Sequence, residues 1–512
     1  MHFKLKAKTS GLFSGLTGFI FILLIAGGWC ANSIAAATAT AMIPEENASI
    51  LLGIDDAVSL GIRNNRGIQE AYLQRIGQKF DLYVSEGKFF PKLTITSSYT
   101  NNVADGIKTK TTGLAAAATM SLPTGAALTA SSTNSSIDGN TSPSVMAWTL
   151  TQPLLKNGGL GANMASIRTA RIDEQINQIN LRATISQSVV KIIYAYRELV
   201  RAQEQKKITE AALKRSRELY EVNKALISAG RMAEVEIIQT EAQVANQEVA
   251  LEEASNQIDA TRLALLNLLA LQPSAAVVAN GLAMSTAKEP DVAQALAVAL
   301  ENQPDYLNSR LSIERAKINL DYAKNQRLWD VSLVAGETRI QGNSTAISTG
   351  GAGTLSGVGT VLSPGSTSSY TGLQITVPIG DRTLEQAVVH ASVELKNQEL
   401  LAQDVRQVLE QNIRDAVRNV QTRWRQFELS KKARELTVLK LNAENEKLKA
   451  GRSSNFQILT FEGDLSNAEN AQINAQIAYL NALTDLDDRM GKTLDIWRIP
   501  TAESTSLSTY DN

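Results

Sequence analysis

Two long stretches of the chain contain neither glycine nor proline. They cover residues 162–229 and 382–450. Nothing in either stretch stops an α-helix, and at 1.5 Å per residue each helix would be roughly 100 Å long. Helices of this length far exceed those of ordinary globular domains, and they need an apolar stripe buried along their whole length. The sequence therefore predicts two very long helices that pack against other helices.

The apolar residues of both stretches recur in alternating steps of three and four, which is the spacing of a coiled-coil seam. The seam positions are Ile185, Val189, Ile192, Tyr196 and Leu199 in the first stretch, and Leu409, Ile413, Ala416 and Val420 in the second. This pattern fits a fibrous coiled coil as well as a tube built from helices.

The composition excludes several classes of site. Cys30 is the only cysteine, and His2 and His390 are the only histidines, so a disulfide framework and a Cys/His metal site are excluded. The chain has no Gly-x-x-x-x-Gly-Lys-Ser/Thr phosphate loop. The net charge of −1 gives no reason to expect nucleic acid as a partner. We therefore expect a protein that is not an enzyme and that needs no cofactor.

Residues 1–41 have the features of a signal peptide. Lys4, Lys6 and Lys8 precede an apolar stretch over residues 12–29, and small residues follow over 31–41. This order of charge, apolar segment and small residues is typical of a cleaved secretory signal, with a retained membrane anchor as the alternative. Cleavage would export the mature chain and leave it without cysteine.

Short segments with alternating side chains predict β-strands. They lie near residues 93–99, 146–151, 331–340 and 373–379, with an alanine-rich candidate at 114–122. Met146, Trp148 and Leu150 could face lipid while the threonines between them face a lumen. A soluble β-layer would alternate in the same way. Four strands cannot close a barrel alone, so a membrane location would require several copies of the chain.

The chain repeats its order of elements. The predicted helix at 54–86 matches the one at 291–327 without a gap, and each long stretch ends in an alanine that is followed by Gly-Arg and a returning helix. This predicts a signal peptide at 1–41, a first repeat at 50–272, a linker at 273–290, a second repeat at 291–495 and a polar tail at 496–512.

This order resembles the TolC-like outer membrane factors of Gram-negative bacteria over about residues 50 to 495. The resemblance rests on the tandem halves and on the turn sequences at 229–237 and 450–458. It also rests on the crossings between helices and strands at Pro91, Pro153 and Pro378.

The resemblance implies a homotrimer with an α+β membrane fold. Each chain would supply two tandem repeats of long coiled-coil helices plus four β-strands, so that the trimer forms a twelve-stranded β-barrel continuous with a periplasmic α-barrel. The implied function is a passive exit duct of a tripartite efflux or type I secretion system, with a periplasmic adaptor protein and an inner-membrane transporter as partners. A structural periplasmic coiled-coil scaffold or an adaptor protein is the alternative.

The resemblance also suggests residues at the helical tip. Acidic residues line the closed end in the family, but the matching positions here are the uncharged Gln457 and Thr460. The counterpart in the first half is Glu236, with Gln239 one turn on; a solvated helix charge is the other interpretation of Glu236. The two turns that would meet the adaptor contain Gly230, Arg231, Gly451 and Arg452.

Overall fold

A computed structural model of the chain describes residues 50–104, 107–141, 143–281, 287–341, 347–348, 361–362, 365–450 and 452–499, all within one unit, Ser49–Asn512. The helices are α1 (Ile54–Asn64), α2 (Arg66–Glu86), α3 (Gly159–Asn163), α4 (Ala165–Ser228), α5 (Glu236–Leu268), α6 (Val292–Asn302), α7 (Pro304–Gln326), α8 (Thr383–Lys449), α9 (Asn455–Arg489) and α10 (Thr493–Ile496). The strands are β1 (Ile50–Leu52), β2 (Lys92–Ala104), β3 (Ile107–Ser121), β4 (Ala127–Ile137), β5 (Asn140–Thr141), β6 (Ser144–Pro153), β7 (Val277–Ala279), β8 (Asp330–Gln341), β9 (Ile347–Ser348), β10 (Val361–Leu362) and β11 (Thr367–Thr376).

Both predicted long helices are present, as α4 with 64 residues and α8 with 67. The predicted seams are buried along them, since Ile185, Val189 and Ile192 are at most 1% exposed. Leu409, Ile413, Ala416 and Val420 are likewise buried. Each long helix packs lengthwise against the helix that returns from its turn, α4 against α5 and α8 against α9. The result is two antiparallel helical hairpins, about 100 Å long on the longer arm.

The prediction of one unbroken helix at 54–86 and another at 291–327 is wrong at equivalent positions of the two halves. The first breaks at Asn65, whose side chain accepts hydrogen bonds from the N–H groups of Gly67 and Ile68. The second breaks at Gln303, whose side chain accepts from the N–H of Tyr306, ahead of Pro304 at the start of α7. A side chain that caps a new helix competes with continuation of the old one.

The sheet contains more strands than the four predicted. Six long strands pair in the order β11-β8-β6-β4-β3-β2, every pair is antiparallel, and the short β5 pairs with β4. The alanine-rich candidate is present as β3. Strand β4 was missed because Ser131, Ser132, Ser135 and Ser136 give it few large apolar side chains. The first half therefore supplies four long strands, and the second half two.

The predicted linker at 273–290 contains a strand. In a separate two-stranded sheet β7 pairs in parallel with β1, with Leu52 opposite Ala279. The Tyr196 hydroxyl donates to the carbonyl oxygens of Leu52 and Asn280, so this small sheet is fixed to α4. The linker is thus a structural part of the first hydrophobic cluster.

Several predictions fall outside the described residues. They concern the signal peptide at 1–41, most of the loop at 341–369, Gly451 and the tail from residue 500. No helix in the described part of the chain is long and apolar enough to cross a membrane.

Candidate functional site: sheet faces and helical tip

The cross-strand register separates the main sheet into two chemically different faces. Residues directly opposite each other in antiparallel strands share a face. The outer face, as we call it, carries large apolar side chains that are mostly exposed: Leu93, Ile95, Tyr99, Leu114, Met146, Trp148, Leu333, Leu373 and Ile375. The predicted alternation at Met146, Trp148 and Leu150 is therefore present, and it extends to the other long strands except β4, where Leu128 is the one large apolar side chain on this face.

The opposite, inner face is polar or small over most of its area. It carries Thr94, Thr96, Ser131, Thr133, Thr149 and Ser368. On this face Tyr370 lies against Gly336, where an added Cβ would approach the tyrosine ring carbon to 2.7 Å. An exposed apolar face opposite a polar face is the pattern of a lipid-facing wall around an aqueous lumen.

The outer face changes character toward the end of the sheet farthest from the helices. Lys108 and Lys110 of β3 lie there, as do Glu337 and Arg339 of β8. Charged side chains at this end bound the apolar area, as expected where a lipid-facing wall meets water.

The three predicted crossings lie where the sheet meets the helices. Pro91 immediately precedes β2, Pro153 is the last residue of β6, and Pro378 follows β11 by two residues. The crossing after Pro153 is fixed by main-chain bonds, since the Leu154 N–H donates to the Val331 oxygen at 2.7 Å. The three prolines thus lie at the junctions between strands and helices.

The turn between β3 and β4 packs against this same crossing. The Gly159 N–H donates to the Thr124 oxygen at 3.0 Å, and the Gln152 side chain contacts both the hydroxyl and the carbonyl oxygen of Thr124. Gly125 has a φ of 93°, and a Cβ there would lie 2.2 Å from the Asn157 oxygen. The hairpin formed by β3 and β4 is therefore anchored at the helix end of the sheet.

At the tip of the first hairpin, α4 ends in a turn at Gly230. Gly230 has a φ of 68°, its N–H donates to the Ile227 oxygen, and the Arg231 N–H donates to the Leu226 oxygen. This is a Schellman ending, which satisfies the last carbonyls of the helix. In the second hairpin the Arg452 N–H donates to the Lys447 oxygen at 2.8 Å. Both arginines are exposed.

The gate candidates lie at the start of the returning helices. Glu236 is the first residue of α5 and is half-buried, whereas Gln239 is exposed. Gln457 is half-buried and Thr460 is exposed in the first turns of α9. Within one chain the structure brings the Glu236 carbonyl oxygen within 3.5 Å of the Asn455 amide nitrogen, two residues before Gln457.

Sequence reasoning missed a buried amide pair at this tip. Asn223 of α4 donates to the Asn455 side-chain oxygen at 2.9 Å, and the two residues are 0% and 2% exposed. Asn223 follows the buried Ser216 and Leu219 in steps of three and four, so it lies on the packed side of the helix. A polar residue at such a seam position is a signal that could have been noticed, because seam asparagines commonly set helix register.

A buried ionic cluster also joins the two hairpins. Burial raises the pKa of the Glu462 carboxyl to about 7; Arg215 opposes this shift and Glu218 adds to it. Glu469, one heptad further along α9, lies 3.9 Å from both Arg215 and Arg434. The two hairpins are thus connected by charges that are largely removed from water.

A second buried cluster lies further from the tip. The Arg197 guanidinium of α4 donates to the side chains of Asn481 and Thr484 of α9, at 3.0 and 2.9 Å. Burial lowers the pKa of Arg197 to about 10 and raises the pKa of Asp487 to about 6. Polar side chains therefore fix the alignment of α4 against α9 at two positions along their length.

Comparisons with known proteins agree with this architecture. Residues 88–271 match the outer membrane efflux protein family. No curated protein sequence matches the chain. Among solved structures, the outer membrane protein VceC of Vibrio cholerae is 15% identical with a TM-score of 0.65, covering 86% of this chain and 96% of VceC.

Two further channels have the same fold. The CmeC outer membrane channel of Campylobacter jejuni is 16% identical with a TM-score of 0.61, covering 86% of each chain. The open-state MtrE outer membrane channel of Neisseria gonorrhoeae is 16% identical with a TM-score of 0.62, covering 86% of this chain and 89% of MtrE. The fold is thus that of outer membrane channel proteins.

The match over residues 88–271 and the shared fold both point to outer membrane efflux proteins. The resemblance to TolC-like outer membrane factors that the sequence predicted is confirmed. The predicted fold class of long helices joined to an antiparallel sheet is confirmed, apart from the number of strands, and the matched family agrees with the predicted outer membrane location and exit-duct role.

Proposed function

We propose that three copies of this chain assemble into a passive exit duct, with the sheets in the outer membrane and the helical hairpins in the periplasm. The observation that carries the proposal is the direct continuation of a sheet with an exposed apolar outer face into helices about 100 Å long. A wall of this kind supports passage through a lumen and needs no catalytic group.

The duct would work with a periplasmic adaptor protein and an inner-membrane transporter, which supplies the energy. The proposed docking positions are the two turns, with Gly230 and Arg231 in the first and Gly451 and Arg452 in the second. Support comes from the exposure of both arginines at the end of the hairpins. The proposal includes no enzymatic activity and no cofactor.

The proposed constriction lies beside these turns. Glu236, Gln239, Gln457 and Thr460 all fall within the first two turns of the returning helices. Three copies of Glu236 around a threefold axis would repel one another and attract cations. Because the matching second-half positions are uncharged, we assign the charge of the constriction to Glu236 alone.

The topology can be tested by labelling in intact cells with a thiol reagent that does not cross membranes. Lys108→Cys, at the far end of the sheet, should react, and Arg231→Cys, at the helical tip, should react only after the outer membrane is permeabilised. Membrane fractionation and native mass measurement of detergent-extracted protein should give an outer membrane trimer. Recovery in the soluble periplasmic fraction would favour a coiled-coil scaffold instead.

A further inference from the structure

We propose that the barrel contains eighteen strands, six from each of three copies, with β2 of one copy pairing antiparallel with β11 of the next. This inference rests on the proposed trimeric duct. It departs from the twelve strands that the family resemblance implies, because the hairpin formed by β3 and β4 becomes part of the barrel wall.

Both ends of the sheet have an unpaired edge among the described residues. β2 has 13 residues and β11 has 10, and each is paired on one side only. In lipid every backbone N–H and C=O must be paired, so neither edge can stay open if the sheet enters the membrane. The occupant must be an extended strand, and the other edge of a second copy supplies one.

The strand directions fit this occupant. Each of the five successive pairings from β11 to β2 is antiparallel, so β2 and β11 run in opposite directions. When copies follow one another around a closed ring, β2 therefore meets the β11 of its neighbour in antiparallel orientation. The even number of long strands makes this possible, since an odd number would force one parallel pair at every joint.

The apolar outer face reaches both edges. Leu93, Ile95 and Tyr99 of β2 are 69%, 66% and 64% exposed. Leu373 and Ile375 of β11 are 55% and 57% exposed on the same face. Such residues on a hairpin in water would form an unfavourable apolar patch, whereas at a joint within the lipid they continue the band from one copy to the next.

The β3–β4 hairpin is also fixed in place at its helix end. Thr124 accepts from the N–H of Gly159 and contacts Gln152, at the crossing that leads into α4. At the same end, β4 pairs with β6 from Ala127 opposite Thr151 to Thr133 opposite Val145. The hairpin is therefore an inner part of the sheet, between β2 and β6.

The perimeters of the two tubes agree with eighteen strands. Four helices of each chain adjoin the sheet, namely α2, α4, α7 and α8, so a trimer has twelve, and at 8–10 Å spacing they form a ring of about 95–120 Å. Strands about 4.8 Å apart and tilted by about 40° each occupy about 6.3 Å, so eighteen give about 113 Å and twelve about 75 Å. Eighteen strands thus continue the helical tube with little change in width.

Disulfide trapping in a Cys30→Ser background tests the joint. Ser97→Cys of β2 is combined in turn with Ser369→Cys, Thr371→Cys or Leu373→Cys of β11, all on the outer face. At least one combination should give a covalent trimer on oxidation, and the single variants should give none. Asn134→Cys of β4, combined with the same three positions, is the matched control and should give none.

The outcomes separate this inference from the function on which it rests. The eighteen-stranded barrel is overturned if a trimer forms in which β11 is linked to β4 rather than to β2. It is also overturned if a cryo-EM map shows twelve strands. Either result leaves the proposed duct intact. A disulfide between β2 and β11 of the same chain also overturns it, because the sheet would then close on itself. A protein that forms no trimer at all contradicts the proposed function as well.

Discussion

Asn223 and Asn455 join the two helical hairpins through one hydrogen bond, 2.9 Å long, between side chains that are almost completely buried. Asn223 lies near the end of α4 in the first half, and Asn455 begins α9 in the second half. Asn455 also reaches the Glu236 carbonyl oxygen. The helical tip is therefore held as one unit by polar contacts.

Asn455→Ala should destabilise the tip by about 1–3 kcal/mol, because it leaves the buried amide of Asn223 without a partner. The measurement is the thermal unfolding midpoint of the detergent-solubilised protein. The double variant Asn223→Leu/Asn455→Leu should recover part of the loss, since both polar groups are then removed. Equal losses in the single and double variants would show that the hydrogen bond is not the cause.

Glu462 should make stability depend on pH. Its pKa of about 7 in the folded protein lies above its ordinary 4.5, so the folded state holds the proton more tightly. The protein therefore loses stability as the pH rises from about 4.5 to about 7, by on the order of 3 kcal/mol at most. Glu462→Gln should raise the unfolding midpoint at pH 8 and leave it nearly unchanged at pH 4.5.

The control for Glu462 is Glu446→Gln, because Glu446 is exposed near the same tip and pairs with the exposed Lys449 three residues on. This variant should change the midpoint little at either pH. An equal rise in both variants at pH 8 would point to the net charge of the tip rather than to burial of Glu462.

Gly125 lies in the turn between β3 and β4, and Gly139 lies in the turn between β4 and β5. Gly125→Ala should destabilise the protein more than Gly139→Ala does. Both glycines have positive φ, 93° and 86°, so both substitutions strain the backbone by about 1 kcal/mol. Only at Gly125 does the new Cβ meet other atoms, with the Asn157 oxygen 2.2 Å away, whereas Gly139 has nothing within 4 Å. We expect a further loss of about 1–3 kcal/mol in thermal stability, and similar losses would contradict the packed turn.

Glu236→Gln should reduce cation selectivity and weaken block by divalent cations in planar bilayers, without preventing assembly. The physical reason is the loss of three carboxylates from a narrow mouth, where the field of like charges is strongest. Glu234→Gln, two residues earlier and exposed, is the control and should have a smaller effect. Unchanged selectivity in Glu236→Gln would assign the constriction to polar residues such as Gln457.

The sequence by itself determined the elements that depend on local rules. The 64 and 67 residues of α4 and α8 follow from the absence of glycine and proline, and the ends of these helices follow from the turn residues. The seams could be read because burial along a long helix repeats every three and four residues. The family resemblance followed from the order of these elements.

Only the tertiary structure decided the features that depend on distant partners. Strand β4 is rich in serine and carries little apolar signal, and it is a strand because β3 and β6 pair with it on both sides. The pKa values of Glu462 and Arg197 are set by burial between helices from opposite halves of the chain. The burial of Arg197 against Asn481 and of Glu462 near Arg215 joins residues more than 200 positions apart, and no local pattern records it.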